Sequence, residues 1–396
     1  MKILSSWRRI PERLGRVTTQ GRLIGEIDGL RLLAILPVIL QHSSERMLDQ
    51  APAVMADSTA AYVVSRGTVG VFLFFAISGF ILSLPFARMH LGETGRVPLR
   101  KYLLRRVTRL EPPYILWMTF FALVLLLQGA MPLHELAGHY AASIGYVHSL
   151  LYGSYTPINP VAWSLEIEIQ FYLLAPLLAA AFFAVKDRRR QWVTGLVLLA
   201  FMGLQHALGW THYPYKLTLL GQLQHFWVGF ILADDYLHRF RQATPRSYAW
   251  DLLGIGGGVL MLLMWSEEWG KSLAFTAGLY LLFQGAFRGR LLGLFLRNPW
   301  ATAIGGMCYT IYLIHLPLLE LQYRFTDDWI AGTAYLPAFA LQLLVSLPVV
   351  LGLSALFFLF IEKPCMDPDW PRHLLHWLRH PWGLRTDDKR TVIQDT

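Results

Sequence analysis

Ten runs of mostly apolar residues, each long enough to cross a bilayer as a helix, are cut apart by clusters of arginine and lysine. They fall at 28–48, 67–88, 112–130, 161–185, 192–209, 217–236, 249–266, 271–288, 300–322 and 336–361. Backbone amides in hydrocarbon must be satisfied within their own segment, so runs of this length fold as helices. Only 15% of the 396 residues are charged, against about 25% in a soluble domain. That excludes a nucleic-acid-binding module, a disordered chain and an ordinary soluble enzyme. The expected fold is all-α: a polytopic integral membrane protein of about ten transmembrane helices.

The basic residues test this reading, because Lys and Arg gather in cytoplasmic loops. With the N-terminus in the cytoplasm, the six cytoplasmic segments hold 29 of the 35 Lys and Arg, and the opposite side holds five. Arg31, inside the first run, completes the count. The alternation predicts both termini in the cytoplasm and accounts for the net charge of +9 without a nucleic-acid partner. The organisation expected is a basic leader at 1–26, a membrane domain at 27–362 and a cytoplasmic tail at 363–396. The first run exceeds the length of a signal-peptide core and lacks an A-x-A-like cleavage site, so it reads as a retained helix. Segment 132–160 has three histidines and no Lys or Arg. It reads as an external loop with a short interfacial helix, because an eleventh crossing would invert every later loop.

Ionisable groups at membrane depth are costly, which makes each a functional candidate. Asp28, Arg31 and His42 lie in the first run. Arg31 and His42 are 11 residues apart, just over three turns, which places them on one helix face about 16 Å apart. The fourth run opens with Trp163, Ser164, Leu165, Glu166, Ile167 and Glu168. Counted along their helices, His42, Glu168 and His315 reach similar depth in the outer half. They form an expected acid–base group, with an imidazole taking a proton and Glu168 orienting it. Their spacing carries no metal signature. Two cysteines, Cys308 and Cys365, give no C-x-x-C. Ser78-Gly79 sits in an aromatic run that permits close helix approach, and it lacks the G-x-S-x-G pattern of a nucleophilic serine. Arg105, Arg106 and Arg109 crowd the start of the third run, where three guanidiniums suit phosphate groups; as a topology signal they are also ordinary cytoplasmic charge.

Together these residues resemble acyltransferase family three, the membrane O-acyltransferases of bacterial surface polysaccharides. The matching elements run in order: Asp28-Gly29-Leu30-Arg31 with His42; Phe74 to Phe80; Arg105, Arg106 and Arg109; Trp163-Ser164-Leu165 with Glu168, Phe171 and Tyr172; Phe226 to Ala233; Tyr309 to Pro317; and Ile361 to Pro364. Glu166, Ile169 and Cys308 depart from the commoner residues, and Ile169 leaves Glu168 without a second carboxylate beside it. The resemblance implies an acyl-CoA donor, usually acetyl-CoA, used as a substrate with no bound cofactor. It also implies a glycan or lipid-linked glycan acceptor, such as a polysaccharide or lipopolysaccharide, and a place in the bacterial cytoplasmic (inner) membrane among its lipids. The chain is similar to the stand-alone form, without a fused extracellular domain. In this picture Arg31, Arg105, Arg106 and Arg109 handle the donor, and His42 and Glu168 serve transfer. Asp28, Ser78, Trp163 and His315 support them. Direct transfer and an acyl-enzyme intermediate both remain open. The alternatives are a proton-coupled transporter or flippase, for which the expected two-halves repeat is missing, and acylation of a small hydrophobic molecule.

Overall fold

A computed structural model describes residues 10–16, 23–50, 59–185, 189–240, 245–330, 332–367 and 369–372. Most of the leader and of the expected tail, and part of the 186–190 basic cluster, lie outside these residues.

Every one of the ten apolar runs coincides with helix. The long helices are α1 (Gly25–Gln50), α2 (Val69–His90), α3 (Leu99–Leu127), α4 (Leu133–Ile144), α5 (Ala162–Ala184), α6 (Arg189–Ala207), α7 (Leu219–Asp235), α8 (Tyr248–Met264), α9 (Trp269–Arg288), α10 (Pro299–Gly306), α11 (Cys308–Thr326) and α12 (Tyr335–Phe357). Among the described residues there is no β-sheet, only one isolated bridge between Ser247 and Gly289. Four helical stretches are each long and apolar enough to cross a membrane: Thr59–His90, Leu99–Leu127, Ala162–Ala184 and Tyr335–Cys365. A fifth joins them if the bent pair Pro299–Gly306 and Cys308–Ile330 forms one span. The protein is an integral membrane protein.

Three features position the functional residues. First, α1 and α2 run antiparallel, with Gly70 against Ala34 and Gly67 against Pro37. Second, α2 and α7 nearly touch: a Cβ on Gly79 would lie 2.1 Å from the Phe226 carbonyl oxygen, and one on Gly229 would lie 2.4 Å from that of Ala76. The expected close approach at Ser78-Gly79 is therefore made by Gly79, which leaves Ser78 free to turn elsewhere. Third, α10 and α11 meet at 67°. Asn298 caps α10 by accepting from the Trp300 amide at 2.9 Å, with Pro299 in the first turn. Gly305 then passes so close to α1 that a Cβ would lie 1.7 Å from the Asp28 carbonyl oxygen. The break after it sets Cys308, Tyr309 and Tyr312 into the lining of one cavity, with Tyr309 Oη donating to the Leu110 carbonyl of α3 at 2.7 Å.

Two expectations are refined. The third run starts as helix at Leu99 rather than near 112, so Arg105, Arg106 and Arg109 are spread over successive turns of α3 instead of lying in a loop. Segment 132–160 holds α4 and a five-residue helix, His148–Tyr152. At 1.5 Å per residue, the 12 residues of α4 reach about 18 Å, short of the roughly 30 Å hydrocarbon core. The segment is tied down by Tyr114 Oη donating to the Ser143 carbonyl at 3.0 Å and by a ring pair, His139 Nδ1 and His148 Nε2, at 2.8 Å.

Candidate active site

Between α1, α2, α3, α5 and α11 lies a cavity of about 810 Å³ that reaches the α2–α3 connection at Thr94 to Pro98. Eight cationic side chains line it (Arg16, Arg31, Arg88, Arg96, Lys101, Arg105, Arg106 and Arg109), against two carboxylates, Asp28 and Glu168. Unlike charges at membrane depth are normally matched, so this excess of six cations is a strong anion-attracting field.

The pairing inside it is specific. Asp28 is gripped by Arg31, three residues on in α1, and by Arg16 Nη1 at 2.9 Å. Arg109 Nη2 stands 3.6 Å from Glu362 Oε1, while Glu362 Oε2 accepts from Thr310 at 2.5 Å. Arg106 lies over the Tyr102 ring at 3.9 Å and the Tyr172 ring at 5.6 Å. Among the described residues, Nε of Arg16, Arg105 and Arg109 is buried without a hydrogen-bond partner. Unpaired buried donors carry a desolvation cost that an anion would relieve.

Glu168 belongs to this cavity. Its Oε1 accepts from Ser78 Oγ and from Tyr172 Oη, each at 2.5 Å. The expectation that Glu168 orients His42 is not met. Counting residues from a helix end gives depth but not direction around the axis, and Glu168 points toward Ser78 and Tyr172. Glu166, about 200° round the same helix, is fully buried and accepts from the Ser149 amide at 2.9 Å.

The partner of His42 is His315: Nδ1 of the first lies 2.7 Å from Nε2 of the second, and the rings stack with centroids 5.0 Å apart. Hydrogen-bond order assigns the tautomers. His315 Nδ1 lies 3.0 Å from the Ile311 carbonyl and 2.9 Å from that of Tyr312, and carbonyls only accept. The His315 proton is therefore on Nδ1, its Nε2 is a bare acceptor, and His42 must donate from Nδ1. That leaves His42 Nε2 unprotonated, and its nearest ionisable neighbour is Glu45 Oε2 at 3.9 Å. Such an ordered imidazole can accept a proton from a hydroxyl.

Of the residues singled out in the sequence, Asp28, Arg31, Ser78, Arg105, Arg106, Arg109 and Glu168 share the cavity, whereas His42 and His315 pair outside its lining. Tyr312 is the wall between the two: it lines the cavity, its ring centroid is 5.8 Å from that of His315, and its hydroxyl is held by Ser164 Oγ at 2.7 Å. Trp163 joins neither group and packs edge-on to Phe75 and against Tyr155, both at 6.2 Å. Arg16, Glu45 and Tyr312 were not picked out beforehand. The Y-x-x-H spacing of Tyr312 and His315 on α11 was the one available signal for the last.

A helical membrane bundle with a cation-lined cavity on one side of an aromatic wall and an oriented imidazole on the other can hold an anion on one side and accept a proton on the other. The chain belongs to the acyltransferase domain family, which matches residues 24–359. It is 23% identical over 370 residues to "Putative O-acetyltransferase SACOL0978" of Staphylococcus aureus (strain COL), covering 87% of this chain and 57% of the relative. It is 26% identical over 331 residues to "O-acetyltransferase OatA" of Staphylococcus aureus (strain NCTC 8325 / PS 47), covering 75% of this chain and 51% of the relative. The chain thus spans a little over half the length of the curated relatives it matches. No solved structure matches it.

Proposed function

We propose that this acyltransferase is an O-acyltransferase that moves an acetyl group from cytoplasmic acetyl-CoA to a hydroxyl of a surface or lipid-linked glycan, in the bacterial cytoplasmic membrane. The topology that goes with it has ten crossings and both termini in the cytoplasm, with the membrane domain at 27–362 between the leader and the tail. The names of the relatives support O-acetylation. The observation that carries the reading is the arrangement around Tyr312: eight cations in a cavity on one side, and the His42–His315 pair on the other.

The donor's phosphates lodge among Arg105, Arg106 and Arg109, whose forked guanidiniums bind phosphate oxygens in pairs. The pantetheine arm runs along α1 from Arg31 toward His42, and the thioester arrives past Tyr312. His42 Nε2 takes the acceptor's proton as the hydroxyl oxygen attacks the thioester carbonyl. The carbon–sulfur bond then breaks, and the departing thiolate recovers the proton from the imidazolium. His315 holds the imidazole in the required tautomer throughout, and Glu168 fixes Tyr172 and Ser78 in the donor cavity. The test is purified protein with radiolabelled acetyl-CoA and a glycan extract. Label should pass to the glycan, and His42→Ala should abolish it. A protein that neither hydrolyses nor transfers from acetyl-CoA overturns the reading and favours transport.

A further inference from the structure

The end of α1 beyond His42 carries a residue with no assigned role. Ser43 and Ser44 are buried and tie α1 to the neighbouring helices, through Tyr323 Oη at 3.0 Å and Tyr335 Oη at 2.8 Å. That fixes the rotation of α1 and leaves Gln41, His42 and Glu45 together on its other face, at spacings of three and four. Among the described residues, Glu45 is oriented from one side only. Its Oε1 accepts from Gln41 Nε2 at 2.6 Å, and Gln41 Oε1 is itself held by Thr68 Oγ1 of the segment entering α2, at 2.8 Å. Its Oε2 stands 3.9 Å from His42 Nε2.

The choice of nitrogen matters. A carboxylate that orients a catalytic imidazole sits on the nitrogen opposite the working one, and here His315 holds that position. Glu45 faces the working nitrogen, so it is on the substrate's side. The two acceptors stand 3.9 Å apart and have no proton to share, so each is open to an outside donor. They are well placed to receive two hydroxyls from adjacent carbons of one molecule, each about 2.7–2.8 Å from its acceptor. The side chains of His42 and Glu45 are 20% and 46% exposed, so the gap is reachable.

The loops beyond the helix ends also carry two partly exposed aromatic rings. Tyr155 and Tyr213 meet edge-to-face at 6.1 Å, are each about half exposed, and Lys216 sits 4.0 Å over the Tyr213 ring. Burial, and after it the Tyr213 hydroxyl, hold the Tyr155 phenol above its ordinary range.

We propose that Glu45 selects the acceptor: its Oε2 receives the hydroxyl next to the one on His42 Nε2, so the acceptor presents a vicinal diol, as a sugar ring does. This rests on the acyl-transfer reading and adds a specificity that reading does not contain. Small probes of matched shape test it. Purified wild type and Glu45→Gln are assayed with acetyl-CoA and either trans-cyclohexane-1,2-diol or cyclohexanol, recording both KM values and the pH profile. Wild type should prefer the diol by about 10- to 100-fold, the usual worth of a hydrogen bond to a charged group. Glu45→Gln should lose that preference through a raised diol KM, with the KM for acetyl-CoA and the use of cyclohexanol unchanged. Equal use of the two probes by wild type overturns the proposal, and so does an equal loss on both in the variant. A variant that only shifts the pH profile overturns it in favour of a charge effect on His42. Acetyl-CoA turnover with neither probe acetylated removes the diol site alone. No acetyl-CoA turnover at all removes the acyl-transfer reading beneath it.

Discussion

His42 donates from Nδ1 to His315 Nε2 across 2.7 Å, and that single bond decides which nitrogen of His42 is available. His315 never needs to approach the substrate to matter. Replacing His42 by Ala should cost the ~10²–10⁴-fold of general-base catalysis. His315→Ala should lower kcat as well, by about 10-fold or more, while leaving the KM for acetyl-CoA in place. The double variant should be little worse than His42→Ala, because the two act as a unit. More than a tenth of wild-type transfer in His42→Ala would sink the base assignment.

Glu166 and Glu168 are two positions apart and should fail in different ways. Glu166→Ala strands the buried Ser149 amide, at a cost of about 1–3 kcal/mol, and should lower Tm in detergent. Glu168→Gln weakens its hold on Ser78 and Tyr172 at the cavity wall. It should lower transfer with Tm nearly unchanged. Matching losses of activity at matching Tm would show that the division is wrong.

Lysine substitutions separate donor binding from topology for Arg105, Arg106 and Arg109. Lysine keeps the charge that orients the loop but not the bidentate fork. Weaker ground-state binding shows in KM. Each Arg→Lys variant should raise the KM for acetyl-CoA, with a larger rise in the triple variant and correct insertion confirmed by accessibility labelling. Unchanged affinity in the triple variant would reduce the cluster to a sorting signal.

A clasp on the acceptor side should respond to acid. Glu267, in the α8–α9 connection, accepts from Lys216 at 3.1 Å and lies 2.6 Å from His212 Nδ1. Burial pushes its carboxyl up, but Lys216 and His212 outweigh that and hold it below the ordinary 4.5. A depressed folded value means the clasp's contribution is complete above 4.5 and lost as pH falls through the lower folded value. Hydrogen exchange over 209–218, the segment bearing Tyr213, should therefore quicken at acid pH beyond the intrinsic change. Glu267→Gln should show the faster exchange already at neutral pH, and an exchange profile identical to wild type would exclude the clasp.

Much of this was legible in the sequence because membranes make polarity expensive. Asp28, Arg31, His42 and Glu168 stand out by residing in apolar runs where charge is costly, and each apolar run coincides with helix. Rotation about the helix axis was not legible. Glu168 faces Ser78, because which side of α5 meets α2 depends on contacts made far away in sequence. Glu45 escaped notice for the opposite reason: near the outer end of α1 a carboxylate costs little, so cost could not flag it. Arg16 reads as one more cytoplasmic cation until Asp28 is seen between it and Arg31.

The distance from Arg31 to His42 has one more consequence. The chain stays helical from Arg31 to His42, with Pro37 inside the stretch, so α1 sets a span of about 16 Å between them. In the proposed reaction, a donor anchored at the arginines brings its thioester beside the imidazole only if its own arm spans that length. The protein would thus sort acyl carriers by reach before it inspects the acyl group. Acetyl phosphate, anchored at the same cations, would stop far short of the reaction, and a thioester trimmed to cysteamine would have the reactive bond but no anchor.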